Sequence, residues 1–186
     1  MVIGLERGMV KLTEHDIEWK NIANATIEQL WRIFDDVAKD IQHIGSTAIK
    51  NIKAKPIIDI AVAVDDFVKI EKLMPTLESE GFSLRKWSNN ERMLFAIGDY
   101  SKSDGIVTHF IHIVKTNSEE WFKCVNFRDY LNANISVAKA YESLKIELAE
   151  KNPYDPGREK YIDGKNAFIG QTLADAEIWK KQQLPK

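Results

Sequence analysis

Hydrophobic residues recur at three- and four-residue steps along residues 18–40, which is the spacing of one face of an α-helix. The spacing therefore predicts a long amphipathic helix over this range. The residues on its apolar face are Ile27, Leu30, Trp31, Phe34 and Val37. The periodicity ends after residue 40, where residues 41–44 form a short extended segment that leads into a turn at Gly45-Ser46.

The next hydrophobic stretch runs from Lys55 to Val64 and is apolar at nearly every position. A strand that is apolar on both faces is typical of a central position in a covered sheet. Asp65-Asp66 follows with side chains that cap helix N-termini, and Gly81 is placed to end the second helix that begins there. Further strands are predicted at 82–87, 92–98 and 106–115, with a hairpin turn at 88–91 and a loop at 99–105.

From Ser118 onward the pattern is helical, in three predicted segments at 118–132, 134–151 and 158–182. Pro153, Pro156 and Gly157 separate the second segment from the third. The layout predicts an α+β fold, a mixed β-sheet with flanking helices and a helical C-terminal half. All 186 residues are expected to form one domain, with a core at about 18–115 and C-terminal helices at about 118–182 packed on it.

Composition and charge narrow the classes of function. Hydrophobic residues make up 44% and charged residues 29% of the chain, as in ordinary globular proteins. The net charge of −2 gives no reason to expect a nucleic-acid partner. No apolar run approaches the ~20 residues that span a bilayer, and Glu6 and Arg7 lie where a signal peptide has its apolar centre. We therefore expect a cytoplasmic protein without a membrane partner. Cys124 is the only cysteine, which excludes an internal disulfide and a cysteine-rich zinc site.

One carboxylate, Asp59, interrupts the apolar strand thirteen residues after Ser46. A buried charge is costly unless it is paired or coordinates a metal. Asp59 therefore either pairs with a neighbour such as Lys55 or caps a loop, or it belongs to a site. In the second interpretation, backbone N–H groups of the Gly45-Ser46 turn bind a phosphate, and Asp59 holds Mg²⁺ against the same phosphate.

The stretches Ile44-Gly45-Ser46 and Asp59-Ile60-Ala61 resemble the signature of polymerase beta-type nucleotidyltransferases. In that superfamily a hydrophobic residue and Gly-Gly or Gly-Ser precede an acid-hydrophobic-acid triplet, and the acids hold two metal ions. The resemblance implies metal-dependent nucleotidyl transfer with Mg²⁺ or Mn²⁺. Ala61 occupies the place of the second acid, so the single strand acid implies one-metal chemistry or ligand binding alone.

Five stretches spread over most of the chain carry a second resemblance. They are VKLTEHDIEW (10–19), HIGSTAIKNIKAKPIIDIAVAV (43–64), HFIHIVK (109–115), FRDYLNANISVAKAYESLKIELA (127–149) and YIDGKNAFIGQTLADA (161–176). In these stretches the chain resembles the GrpB family, a group related to nucleotidyltransferases. This resemblance implies a nucleotidyltransferase-like fold, and it brings no settled reaction.

His109 and His112 lie on one predicted strand and therefore point to opposite faces. If this strand neighbours that of Asp59, His112 stands where the superfamily has its third acid, as a metal ligand or a general base. The alternative is a hydrogen-bonded core histidine. Glu91, at the predicted hairpin, and Asp129 are candidates for a second site carboxylate.

Four further residues are expected at the site because they coincide with the family-like stretches. They are Lys55, Arg128, Tyr161 and Lys165, and the last two lie one turn apart on one predicted helix. We expect the C-terminal helices to fold over the sheet and bring these side chains to the Gly45-Ser46 turn. There the arginine would grip phosphate oxygens and the lysines would neutralise charge. The alternatives are solvated lysines and an Arg128–carboxylate pair.

Two functions from different classes are consistent with these residues. The first is a metal-dependent, nucleotidyltransferase-like enzyme that acts on a nucleotide or another phosphorylated small molecule, with Asp59 and His112 as catalytic and metal-holding residues. The second is a non-catalytic module that keeps the fold and binds such a ligand. The stretch GSTAIK lacks the Gly-Lys-Ser/Thr ending of a P-loop, which argues against kinases and GTPases of that type.

Overall fold

A six-stranded mixed sheet forms the centre of the computed structural model, which describes residues 3–88, 92–99, 105–156 and 159–183. Its strands are β1 (Leu5–Glu6), β2 (Ala38–Ile44), β3 (Ile58–Val64), β4 (Phe82–Ser88), β5 (Arg92–Gly98) and β6 (Ile106–Lys115). Their order is β2-β3-β6-β5-β4, with β1 paired to β6. β3 and β6 are parallel, and the other pairs are antiparallel. The α+β class and the mixed sheet expected from the sequence are confirmed.

Helices cover both faces of this sheet. They are α1 (Glu18–Phe34), α2 (Phe67–Ser79), α3 (Glu119–Ala133), α4 (Ile135–Lys151), α5 (Glu159–Asp163) and α6 (Asn166–Gln183). α1 and α2 pack on one face, where Leu30, Phe34 and Ile70 join the main hydrophobic core. α3 packs on the other face, where Trp121 joins a second cluster with Ala61. None of the helices in the described part of the chain is long and apolar enough to cross a membrane.

β3 occupies the central position that its two-sided hydrophobic pattern predicts. It lies between β2 and β6 in the sheet. Its Ile60 and Val62 side chains belong to the main core on the α1 side, whereas Ala61 and Ala63 belong to the cluster beneath α3. The strand is buried at every position except Asp59, whose side chain is 29% exposed.

The pairing register brings Asp59 and His112 to the same face of the sheet. Asp59 pairs with Ile44 on β2 and with Phe110 on β6, and Ala61 pairs with His112. Side chains two residues apart on a strand share a face, so His112 is the diagonal neighbour of Asp59. The hypothesis for His112 required its strand to lie beside that of Asp59, and this neighbour relation is confirmed.

The first helix is shorter than its hydrophobic pattern predicts. α1 ends at Phe34 rather than at residue 40, and a single 3₁₀ turn, Asp35–Val37, leads into β2 at Ala38. Asp35 has a φ of +45°, which lies outside the right-handed helical region, so the helix does not continue through it. The extended segment predicted at 41–44 is therefore the second half of a seven-residue strand.

The helix predicted at 158–182 is two helices, α5 and α6, which are separated at Gly164-Lys165. The backbone there passes close to α4, and a Cβ on Gly164 would lie 2.5 Å from a methyl carbon of Leu148. Tyr161 and Lys165 therefore lie in different elements rather than on one helix. The hairpin turn predicted at 88–91, the loop predicted at 99–105 and the break at Gly157 lie wholly or partly outside the described residues.

Candidate functional site

A cavity of about 520 Å³ opens between the sheet and the C-terminal helices. Six of the residues predicted for the site line it, namely Ser46, Lys55, Asp59, His112, Tyr161 and Lys165. They come from the turn after β2, the loop before β3, β3 itself, β6, α5 and the turn after α5. The volume is within the range of roughly 300–1,000 Å³ that is typical of small-molecule sites.

Gly45 packs directly against the carboxylate of Asp59. Its φ is +71° and its ψ is −170°, a combination that is essentially restricted to glycine. A Cβ at this position would lie 2.4 Å from Asp59 Oδ2. The chain then forms one 3₁₀ turn over Ser46–Ala48, in which the Ala48 N–H donates to the Gly45 carbonyl at 3.2 Å. The Gly-Ser turn and the strand acid are therefore one structural unit.

A buried polar layer lies behind Ser46. The side chains of Tyr141 and Ser46 are hydrogen-bonded, and burial raises the pKa of Tyr141 to about 12. Lys145 on α4 is only 1% exposed, and its Nζ lies 4.8 Å from the centroid of the Tyr141 ring and donates to the Lys53 carbonyl. Burial, assisted by the positive charge of Lys165, lowers the pKa of Lys145 to about 7.

Two lysine ammonium groups lie against the ring of Tyr161. The distance from the ring centroid is 4.8 Å for Lys55 Nζ and 4.4 Å for Lys165 Nζ, and both are within the range of a cation–π contact. Tyr161 is buried, and its backbone N–H donates to Asp155 Oδ2 at 3.1 Å. Burial lowers the pKa of Lys165, and the negative charge of Asp59 opposes this change. Tyr161 thus holds both cations at the edge of the cavity.

A chain of polar contacts runs from Asp59 to α3. His112 Nε2 lies 3.3 Å from Asp59 Oδ1, and Arg92 Nη2 lies 2.8 Å from His112 Nδ1. Arg92 Nη1 lies 3.5 Å from Glu120 Oε2 on α3. Both ring nitrogens of His112 are therefore engaged by protein groups, and Arg92 itself also lines the cavity.

Arg128, which was expected to grip phosphate oxygens, makes other contacts. Its Nη1 donates to the His43 carbonyl at 2.8 Å and to Gln42 Oε1 at 3.0 Å, and its Nη2 lies 2.7 Å from Asp129 Oδ1. Within the described residues, neither Arg128 nor Asp129 lines the cavity. These contacts match the alternative of an arginine–carboxylate pair, which here ties α3 to the edge strand β2. Glu91 lies outside the described residues.

Two further histidines, His109 on β6 and His43 on β2, do not line the cavity. His109 points to the opposite face from His112, as predicted, and its Nε2 lies 3.2 Å from Thr26 Oγ1 on α1. His43 Nε2 lies 2.9 Å from Thr47 Oγ1. Burial lowers the pKa of both His43 and His109 to about 4, so both rings are neutral at physiological pH.

The donor set around Asp59 does not fit a pair of metal ions. Among the described residues, no group of three or more His, Cys, Asp or Glu side chains is placed to hold a metal. Ala61, at the position expected for the second acid, is fully buried against the cluster that contains Trp121. A single Mg²⁺ is different, because it is often held by one carboxylate, water and the phosphate oxygens of a ligand. Asp59 supplies the one carboxylate that such a single-ion site needs.

Sequence reasoning missed Arg7, Arg92 and Lys145, although the first two line the cavity and the third lies behind it. Arg92 precedes Leu94 by two residues, and Leu94 pairs with His112, so the signal for Arg92 was the register of β5 and β6. That register is not readable from one sequence. For Lys145, the sequence feature that indicates burial is its position among the apolar residues of a predicted helix.

The sequence comparisons identify close relatives of this chain. The family model described as GrpB protein matches residues 9–175. The chain is 38% identical over 175 residues to the glutamate-rich protein GrpB of Alkalihalophilus pseudofirmus, covering 92% of this chain and 98% of that protein. It is 28% identical over 172 residues to the UPF0157 protein YqkA of Bacillus subtilis, covering 92% of this chain and about half, 48%, of YqkA.

Solved structures extend the comparison to the fold. The crystal structure of the conserved protein GrpB from Enterococcus faecalis superposes with a TM-score of 0.80 at 30% identity, covering 91% of this chain and 99% of that chain. The poly(U) polymerase Cid1, in its Mg 3'-dATP-bound crystal structure, superposes with a TM-score of 0.52 at 14% identity, covering 75% of this chain and 44% of that chain. The second likeness shows a nucleotidyltransferase-like fold and nothing finer. The chain belongs to the GrpB protein family.

Proposed function

We propose that this protein binds the phosphate groups of a nucleotide or another phosphorylated small molecule in the cavity beside Asp59, and that it transfers a nucleotidyl or other phosphoryl-type group from that ligand. The observation that carries the proposal is the charge of the lining. Four cationic side chains surround one carboxylate, and they are Arg7, Lys55, Arg92 and Lys165. Such a lining favours a ligand that carries several negative charges.

The described residues suggest how the ligand would be held. Phosphate oxygens would accept from the turn that begins at Ser46 and from the ammonium groups of Lys55 and Lys165. Leu94 and Phe110 also line the cavity and would contact the uncharged part of the ligand. The two lysines are held against Tyr161, so little side-chain entropy is lost when they bind phosphate.

Asp59 is the residue proposed to hold a single Mg²⁺ or Mn²⁺, together with oxygens of the bound phosphate. The bound cation would neutralise phosphate charge and orient the phosphate oxygens. The chain itself supplies position and fixed positive charge, and these account for most of the catalysis in phosphoryl transfer. The Mg 3'-dATP-bound structure of Cid1, which shares the fold, supports a nucleotide and a divalent cation as the first ligands to test.

A second candidate function is binding of the same ligand without transfer. It is favoured by Ala61, which is fully buried beside His112 and leaves Asp59 as the one acid on β3. Retention of the cations without the second acid would keep affinity for phosphate and remove the two-ion arrangement. The two candidates share a ligand and differ in whether a product forms.

Thermal unfolding of the purified protein with a panel of nucleotides, each with and without Mg²⁺ or Mn²⁺, tests both. A ligand present at 100 times its dissociation constant stabilises the native state by about 2.7 kcal/mol. For a chain of this size, that corresponds to a rise in Tm of roughly 5–10 °C. We expect Asp59→Asn to remove the metal-dependent part of the rise.

Asp65→Asn is the matched control, because Asp65 follows the other end of β3, is exposed and lies 3.9 Å from Lys39. It should leave the shift unchanged. The stabilising nucleotide, labelled at the α- or γ-phosphate, is then incubated with the protein and the products are separated. Label transfer or release that Asp59→Asn abolishes supports the enzyme, and binding without products supports the second candidate. If no phosphorylated compound raises Tm, both are refuted.

A further inference from the structure

Arg92 and Asp59 contact the two different ring nitrogens of His112. A guanidinium has five N–H donors and no acceptor, so His112 Nδ1, at 2.8 Å from Arg92 Nη2, must be the acceptor of this hydrogen bond. An imidazole that accepts at Nδ1 has its single proton on Nε2. That N–H lies 3.3 Å from Asp59 Oδ1 and donates to it.

The same contact excludes the other two states of the ring. The tautomer with its proton on Nδ1 would place an N–H against the N–H groups of Arg92, and so would an imidazolium, which donates from both nitrogens. The contact between His112 and Asp59 is therefore a hydrogen bond that the Nε2–H group donates to the carboxylate.

We infer that Arg92 is a positioning residue that holds His112 in the Nε2–H tautomer, so that His112 orients the carboxylate of Asp59 and is not itself a ligand of the cation. The tautomer follows from the hydrogen bonds alone. The statement about the cation rests on the proposed function, and it assigns the metal to Asp59 without His112.

The position of Arg92 in the sheet and its ion pair with Glu120 keep the guanidinium beside His112. Its position on β5, two residues before Leu94, sets it diagonally across from His112 on the same face of the sheet. On the side away from the ring, its Nη1 lies 3.5 Å from Glu120 of α3. The guanidinium is thus fixed between a strand neighbour and a helix.

The inference changes the role expected for His112. A histidine that ligates a metal uses an unprotonated nitrogen, and Nδ1 of His112 is engaged by Arg92 while Nε2 carries the proton. Asp59 still has free lone pairs, because a carboxylate accepts at about four positions and His112 occupies one of them. On its other side the carboxylate is confined by the backbone at Gly45. Asp59 is thus held from two sides and open toward the cavity.

Nitrogen NMR of the full chain, labelled with ¹⁵N in its four histidines, reads the tautomer directly. The His112 signals are assigned by their loss in His112→Gln. We expect a pyridine-type shift at Nδ1 and a pyrrole-type shift at Nε2. The reverse pattern, an imidazolium pattern, or an averaged pattern in the unaltered protein at neutral pH would overturn the inference, and this measurement requires no variant of Arg92.

Variants of Arg92 then show whether it is the cause. Arg92→Met removes the donor that occupies Nδ1, so states with a proton on Nδ1 become accessible and the His112 Nδ1 signal should move away from its pyridine-type shift. Arg92→Lys restores a side chain that only donates and should return the signals toward the original pattern. Arg32→Met, on the exposed face of α1, should change nothing. Unaltered His112 shifts in folded Arg92→Met would refute a role for Arg92.

Pulsed EPR of Mn²⁺, added to the ¹⁵N-histidine protein together with the nucleotide that raises Tm, tests the role of the ring toward the cation. We expect Mn²⁺ binding that Asp59→Asn abolishes, without the ¹⁵N hyperfine coupling of a directly ligated imidazole. A directly coordinated nitrogen that disappears in His112→Gln would overturn the inference. If Mn²⁺ does not bind at all, the cation in the proposed function is refuted, whereas the tautomer is decided by the NMR experiment alone.

Discussion

Replacing Gly45 by alanine is expected to destabilise the protein strongly, for two separable reasons. First, Gly45 has φ +71° and ψ −170°, a region that L-residues avoid. Strain of this kind costs roughly 1–3 kcal/mol. Second, the new methyl group would lie 2.4 Å from Asp59 Oδ2 and 2.8 Å from Asp59 Cβ. Overpacking of this kind costs roughly a further 1–3 kcal/mol.

The sum, roughly 2–6 kcal/mol, is a large part of the 5–15 kcal/mol that typically stabilises a domain. Urea unfolding followed by far-ultraviolet circular dichroism gives the free energy of unfolding for each variant. Two other glycines separate the two costs. Gly81 has φ +88° and would place no Cβ contact within 4 Å, so Gly81→Ala measures strain without overlap.

Gly170 lies within α6, and a Cβ there also meets nothing within 4 Å. Gly170→Ala should therefore be neutral or stabilise the protein by roughly 0.5–1 kcal/mol, because alanine favours a helix. The excess cost of Gly45→Ala over Gly81→Ala combines the overlap with Asp59 and the difference in backbone strain between the two glycines. The overlap is the part of this excess that disappears in an Asp59→Ala background, which removes the nearest oxygen. Equal costs for Gly45→Ala and Gly81→Ala would refute the close contact between the turn and the strand acid.

Two buried bases give further predictions about stability and pH. Burial lowers the pKa of Lys145 to about 7 from an ordinary 10.5, so the unfolded chain binds more protons between these values and the free energy of unfolding rises with pH. Between pH 7 and pH 9, the free energy of unfolding measured in urea should rise by roughly 1–3 kcal/mol more in the unaltered protein than in Lys145→Met. Lys151 is exposed on the same helix, so Lys151→Met should behave like the unaltered protein. An equal gain in Lys145→Met would contradict the burial of the ammonium group. Burial lowers the pKa of His109 to about 4, so stability should fall as the pH drops from about 6.5 to 4. His109→Gln, which keeps a polar partner for Thr26, should flatten this fall in acid titrations, and an unchanged acid midpoint would argue that the ring is solvated.

Much of the sheet is readable from the sequence because its strands bury side chains in regular patterns. The predictions for β4, β5 and β6 agree with the structure to within one residue. The first helix was predicted too long because Val37 continues the apolar spacing, and the positive φ of Asp35 has no signature in periodicity. The division at Gly164 depends on its approach to Leu148, a contact between helices that no local pattern contains.

The site divides in a similar way. Site residues in or near the Gly45-Ser46 turn, and on the segment that carries Asp59, can be predicted because they are close in sequence to residues whose type already indicates phosphate or metal binding. Arg92 becomes relevant only through the register of two antiparallel strands, and Lys145 only through the packing of α4 behind the turn. Arg128 shows the converse: its type and position suggest phosphate binding, whereas in the structure its guanidinium is hydrogen-bonded to β2 and to Asp129.

The parallel pairing of β3 with β6 joins two antiparallel parts of the sheet, and the site is assembled across that junction. His112 and Arg92 belong to the antiparallel meander β4-β5-β6, in which they are 20 residues apart, whereas Asp59 belongs to the β2-β3 pair and is 53 residues from His112. Contacts between distant residues form against a larger entropy of loop closure. The hydrogen bond between Asp59 and His112 therefore requires β3 to be paired with β6. Separation of β3 from β6 would move Asp59 away from His112, even if each part of the sheet kept its own strand pairing.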